Sequence, residues 1–135
     1  SDSLQKQANA MTTEGRWAEA VEALNYIVYL DPSSVAAVNN VAWLLATAPT
    51  DNVRNGRGAL EKAAWCCETT GNRHADCLKT LAAAYAESGN FEEAVRRAEA
   101  ALSLARQSNQ TTLASQIEEQ LSQYRRGKPY RLPTK

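Results

Sequence analysis

The chain has 135 residues, with 15 Lys and Arg balancing 15 Asp and Glu, so its net charge indicates no particular class of partner. It is 44% hydrophobic and 22% charged, which is typical of a globular domain rather than a disordered chain. The low counts of 4 Pro and 6 Gly favour helices over strands. No apolar run approaches the roughly 20 residues of a membrane span, so we predict no membrane-spanning helix.

The first residue is Ser1 rather than Met, and we therefore expect a piece of a longer protein, whose upstream signals would not be visible here. The compartment is accordingly unknown, although the lack of a visible targeting signal favours the cytoplasm. Three cysteines, an odd number, do not suggest a disulfide framework.

One apolar pattern occurs twice, 74 residues apart, after the turn residues Gly15 and Gly89. The first copy comprises Trp17, Ala20, Val21, Leu24, Ile27 and Val28, and the second comprises Phe91, Ala94, Val95, Ala98, Ala101 and Leu102. Both sets follow one face of a helix of period 3.6. The pattern therefore predicts two equivalent helices.

Alanine recurs at the centre of three further predicted helices, as Ala8, Ala42 and Ala82. A small residue is needed where two packed helices approach most closely, with larger residues filling the space on either side. The first step between these alanines is 34 residues and the second is 40. We therefore predict a repeated helix pair whose middle copy carries an insertion near 48–56, where Pro49 and Gly56 supply turn residues.

Turn and cap residues divide the chain into seven predicted helices. The seventh spans about 110–126 and ends before Gly127. It places Leu113, Ile117, Leu121 and Tyr124 on one face. Its opposite face is polar, which suits the terminal helix of a stack.

At these positions the chain resembles the tetratricopeptide-repeat (TPR) family. The third repeat carries the most signature residues, which are Leu78, Leu81, Ala82, Tyr85, Gly89, Phe91, Ala94 and Ala101. The first repeat departs from the family at Gln7, which stands where an apolar residue is usual, and the second has the insertion. The stretch 124–131 is similar to the C-terminus of some large bacterial TPR proteins.

The resemblance implies an all-α, TPR-like right-handed superhelix of three antiparallel helix pairs plus a C-terminal capping helix. Its TPR domain would span 1–126, and a basic C-terminal tail would follow at 127–135. The units would be repeats at about 1–34, 35–73 and 75–108, then the capping helix at about 110–126.

The resemblance also implies a non-catalytic interaction module that binds a protein or peptide segment in a concave groove lined by the first helix of each pair. The corresponding positions here are Gln5, Asn9, Thr12, Asn39, Trp43, Thr47, Asp76, Lys79 and Ala83. One subgroup clamps acidic chaperone tails with two asparagines, matched by Asn9 and Asn40, and three cations. Gln5, Asp76 and Thr80 occupy the cation positions, and carboxylate capture requires those charges, so we expect no such clamp.

Two alternatives stay open. The chain could be a structural C-terminal end cap of a longer array, whose groove does little alone. Trp43 could anchor a partner, or it could pack beneath the insertion. Tyr26 and Trp65 fall at second-helix positions, where we expect partial exposure or contact with a second copy of the chain.

The only cluster that could hold a metal is Cys66, Cys67, His74 and Cys77. Adjacent cysteines on a helix point about 100° apart and do not readily share one ion. Cys66 and Cys67 also fall at repeat positions that are apolar elsewhere, which predicts core residues. His74 is expected to face solvent or cap a helix. We expect no catalytic residue, metal or cofactor.

Five bases and no acid follow Glu119. Such a basic tail could contact nucleic acid or anionic lipid. Because its only aromatic residue beyond 127 is Tyr130, the stretch predicts a solvated tail instead, and no nucleic-acid partner is expected.

Overall fold

The structure, a computed structural model, describes residues 2–134 and contains seven α-helices and no strand within them. The helices are α1 (Asp2–Thr13), α2 (Trp17–Leu30), α3 (Val35–Thr47), α4 (Gly56–Thr69), α5 (Ala75–Glu87), α6 (Phe91–Gln107) and α7 (Thr111–Arg125). The all-α class and the seven predicted helices are confirmed. No helix in the described part is long and apolar enough to cross a membrane.

Each helix packs against the next one in the chain, and α5 also packs against α3 and α7. The alanines at the centres of the odd-numbered helices, Ala8, Ala42 and Ala82, are all buried. Their small side chains let the neighbouring backbones approach closely. Ala20, Ala63 and Ala98 are equally buried in the even-numbered helices, so the core is built from many close helix contacts.

Short polar side chains begin several of these helices. Ser34, Asn55 and Asn90 each accept a hydrogen bond from a backbone N–H in the first turn of α3, α4 and α6, respectively. Such caps satisfy a donor that has no partner within the helix. His74 does the same for α5, because its Nδ1 accepts from the Cys77 N–H at 3.3 Å. The prediction of an exposed or capping histidine is confirmed.

The predicted insertion forms an ordered turn between α3 and α4. Ala48 and Val53 within it are buried. The Asn55 N–H donates to the Leu45 carbonyl at 2.8 Å, and the Arg54 Nη1 donates to the Ala48 carbonyl at 2.9 Å. These bonds fix Arg54 beside the C-terminal end of α3.

The last residues turn back onto the helices after α7. Gly127 has a φ of 69°, a left-handed conformation that glycine adopts at little cost and that commonly ends a helix. We refer to residues 127–134 as the C-terminal segment. Residues 129–132 are half-buried against the helices, so the prediction of a solvated tail is wrong for them. Lys135 lies outside the described residues.

Candidate functional site

The odd-numbered helices form one continuous surface, in which two pockets share Trp43. The first pocket, of about 310 Å³, lies between α1 and α3. The second, of about 240 Å³, is lined by Trp43 of α3, Lys79 of α5, side chains of α7 and the C-terminal segment. Because these pockets bring α1, α3, α5 and α7 together, we name this surface the odd-helix face.

Trp43 lies at the centre of the odd-helix face. Its ring centroid is 5.8 Å from that of Tyr130, with the two planes tilted by 30°. The Lys79 Nζ lies 4.1 Å from the indole centroid and 3.1 Å from an Asp76 oxygen. An aromatic pair contributes about 0.5–1.5 kcal/mol beyond its buried area, and a cation over an indole contributes about 0.5–2 kcal/mol. Trp43 thus attracts both an aromatic ring and a cation.

The next residue of the C-terminal segment, Arg131, joins a network of acidic and basic side chains. The Arg131 Nη1 lies 2.8 Å from the Glu87 Oε1, and the Arg54 Nε lies 3.4 Å from the Glu87 Oε2. Arg54 also pairs with Asp51. Without Arg131, the network would hold two acids and one base. Because Asp51 is 94% exposed, the poorly exposed acid of this network is Glu87, whose two carboxylate oxygens face Arg131 and Arg54.

A backbone hydrogen bond completes the attachment of the C-terminal segment. The Leu132 N–H donates to the Thr47 carbonyl at 2.8 Å. Thr47 is the last residue of α3, and the final carbonyls of a helix have no partner within it. The Leu132 side chain is half-buried against the helices. Burial and the nearby Glu119 raise the pKa of the Tyr130 hydroxyl, so this hydroxyl stays neutral at ordinary pH.

The nine predicted groove residues divide into two sets. Gln5, Asn9, Thr12 and Trp43 line the first pocket. On α5, Lys79 lies over the Trp43 ring, and Asp76 pairs with Lys79. The other three, Asn39, Thr47 and Ala83, are buried, so they shape the face from beneath.

The buried residues of that second set have partners within the chain. The Asn39 Nδ2 donates to the Asp76 Oδ2 at 3.3 Å. The Thr47 Oγ1 donates to the Trp43 carbonyl at 2.6 Å. Ala83 packs in a cluster of small residues that Trp43 covers in part. These contacts fix the position of Trp43 and Asp76 on the face.

Four residues of the face were not predicted from the sequence, namely Glu87, Tyr130, Arg131 and Leu132. The relevant signal was the alternation of apolar and basic side chains after Pro129. A purely solvated tail would not need Tyr130 and Leu132. Their partners could not be predicted, because the segment has no periodic structure that would fix its direction.

The cysteines lie in the core, away from this face. Cys66, Cys67 and Cys77 are each 2% exposed or less, which confirms the core interpretation of Cys66 and Cys67. Hydrogen bonding to Cys77 and burial raise the pKa of the Cys66 thiol, and burial raises the pKa of the Cys67 thiol to about 12. Among the described residues, no three His, Cys, Asp or Glu side chains are arranged to hold a metal ion.

A cleft of about 830 Å³, larger than either pocket of the odd-helix face, lies elsewhere, between α6 and α7. Leu102 and Leu121 contribute to its lining. Exposed ion pairs cross from α6 to α7 along it, one of them joining Arg125 to Glu99 at 2.8 Å. Four of the charged side chains that line the cleft, Glu99, Arg106, Glu118 and Arg125, are thus paired with each other.

No protein-family model matches the chain, and no curated protein is detectably similar to it.

Proposed function

We propose that the chain is a non-catalytic protein-interaction module of the TPR type, whose odd-helix face binds an extended segment of a partner protein. In this proposal α1 to α6 form a right-handed superhelix of three antiparallel pairs, and α7 is the capping helix. The recurrence of buried Ala8, Ala42 and Ala82 supports this arrangement, as does the packing of α3 against α5 and of α5 against α7.

One observation carries the proposal: the odd-helix face already holds a stretch of chain without regular secondary structure. Residues 129–132 contribute a ring to Trp43, a cation to Glu87 and a backbone N–H to Thr47. A surface that binds its own irregular segment has the features that a peptide from another protein requires.

The physical advantage of such a face is its rigidity. Trp43, Asp76 and Lys79 stand on helices that pack against each other through buried alanines. A partner segment that binds there loses its own conformational freedom, but the receiving side chains lose little more. Binding energy is therefore not consumed by ordering the module.

The end-cap alternative receives less support. A cap of a longer array would need an apolar contact surface on α1 for the preceding repeat. Leu4 and Met11 are half-buried, and the exposed side chains in the described part of α1 are polar apart from one alanine: Ser3, Lys6, Gln7, Asn9, Ala10 and Thr13. We therefore favour the interaction module over the end cap.

The proposal is tested by selecting peptides from a random display library on the immobilised chain. We expect peptides whose binding weakens at least tenfold in a Trp43→Ala variant, since removal of a central aromatic anchor costs about 2 kcal/mol or more. The matched control is Trp65→Ala, because Trp65 is 37% exposed on α4.

Peptides that bind equally to both variants and to the wild type would place the interaction outside the odd-helix face. A selection that enriches no peptide would overturn the proposed function altogether. Melting temperatures of both variants establish that they are folded.

A further inference from the structure

We infer that the odd-helix face recognises a segment with an aromatic, a basic and an aliphatic side chain in consecutive positions, and that such a partner binds by displacing the C-terminal segment. This inference rests on the proposed function and adds the chemistry of the ligand and the regulation of the same site. The order is that of Tyr130, Arg131 and Leu132.

The aromatic position is defined by Trp43. Its indole meets Tyr130 at 5.8 Å between ring centroids, and it stands between the two pockets of the face. An aliphatic side chain at position 130 would lose the ring contact. The Tyr130 ring also packs partly against the main core, so a small side chain there would leave apolar surface in water.

The basic position is defined by the network of Asp51, Arg54 and Glu87. These three groups have a net charge of −1, and a guanidinium at position 131 brings the sum to zero. Glu87 and Arg54 are poorly exposed, at 17% and 14% of their side-chain surface. The Asp51 side chain is 94% exposed and is therefore screened by solvent, so the preference for a base rests on Glu87, whose Oε1 lies 2.8 Å from the Arg131 Nη1. An acidic side chain at this position would face the poorly exposed Glu87 carboxylate and would be rejected.

The third position combines a backbone contact with a small apolar one. The Leu132 N–H bonds to the Thr47 carbonyl, which would select against proline because proline has no N–H. The aliphatic side chain packs beside the cluster that contains Leu44 and Ala48. Together the three positions give a preference for a particular sequence rather than nonspecific binding.

The C-terminal segment is placed so that it can leave the odd-helix face. Residues 127, 128, 133 and 134 are exposed on both sides of the half-buried stretch, and Gly127 joins it to α7. A tethered segment competes at a high effective concentration. The apparent association constant for a partner therefore equals the intrinsic one multiplied by the fraction of molecules in which the segment is undocked.

The test uses a fluorescent peptide with the sequence of residues 127–134 and a scrambled peptide of the same composition. Fluorescence polarisation measures their binding to the full chain, as wild type and as a Tyr130→Ala/Leu132→Ala variant. We expect the variant to bind the native-sequence peptide at least tenfold more tightly than the wild type does, since its face is free. The scrambled peptide should bind neither.

A second arm tests the basic position. A peptide with Glu in place of the arginine should bind the double variant at least tenfold more weakly. Adding Glu87→Gln should reduce that discrimination, because it removes one acid of the network. If thermal melting shows that the double variant is unfolded, an Arg131→Glu variant takes its place in the same titration. Repulsion between the new carboxylate and Glu87 then releases the segment.

Several results would overturn the inference. Equal binding of the peptide to wild type and variant, or binding to neither, would show that the segment does not compete for a ligand site. A wild-type dimer that the double variant converts to a monomer would make a second copy of the chain the occupant. Display peptides that depend on Trp43 but lack the aromatic–basic–aliphatic order would refute the inference and leave the proposed function standing.

Discussion

Side chains at single positions determine both the core and the face of this protein. The alanine spacing predicted the burial of Ala8, Ala42 and Ala82 because the requirement for a small residue is local to each helix pair. The partner of Trp43 was not predictable in this way. Tyr130 is 87 residues further along the chain, and no period connects the two.

The three thiols provide a residue-level prediction. All three thiols are 2% exposed or less, so a reagent does not reach them in the closed core. The thiolate is the reactive form, and burial also raises the pKa of Cys67 to about 12, which keeps that thiol protonated near pH 8. We expect a disulfide reagent at pH 8 to modify all three cysteines at once in denaturant. In the native chain the reaction should be at least about a hundredfold slower, because it must wait for opening of the core.

The matched control for the thiols is a Ser103→Cys variant, since Ser103 is exposed on α6. Its added thiol should react in the native protein about as fast as an unfolded one. If the native cysteines reacted at the same rate as this added cysteine, the buried arrangement of α4 and α5 would be contradicted.

Whole elements were predicted to different degrees. The seven helices and their order came from apolar periodicity and cap residues, both of which are properties of contiguous sequence. The C-terminal segment has no such periodicity, and its charges alone indicated a solvated tail. Three contacts to residues of α3 and α5 determine its position instead.

Attachment of α7 to α6 illustrates which contacts hold an element. Ile117 is fully buried, whereas the Arg106–Glu118 ion pair is exposed. We expect Ile117→Ala to lower the free energy of unfolding by about 2–5 kcal/mol, because it leaves a cavity. Arg106→Ala should lower it by no more than about 1 kcal/mol. Urea denaturation measures both values, and a larger loss for Arg106→Ala would show that charges hold α7.

On the scale of the whole molecule, the packing follows the order of the chain. Contacts join neighbouring helices, with α5 touching α3, α4, α6 and α7, while α1 packs only against α2 among the described helices. In such arrays stability is close to a sum of unit and neighbour terms. The ends of the stack should therefore open more easily than its centre.

This uneven packing predicts the pattern of amide hydrogen exchange. We expect the amides of α1 to exchange at least tenfold faster, after correction for intrinsic rates, than those in the middle of α5. Exchange followed by mass spectrometry of peptic fragments resolves the two helices. Uniform protection across the chain would instead indicate a single cooperative unit.

The bond between Leu132 and Thr47 has a mechanical consequence. It joins residues 85 positions apart. The C-terminal residues are therefore attached to α3, although the helices otherwise pack in chain order. A pulling force on the C-terminus would act first on this attachment and only then on α7. Releasing residues 127–134 would lengthen the chain by roughly 25 Å at about 3.3 Å per residue, with every helix still folded. The odd-helix face would thus be uncovered by tension before the fold yields.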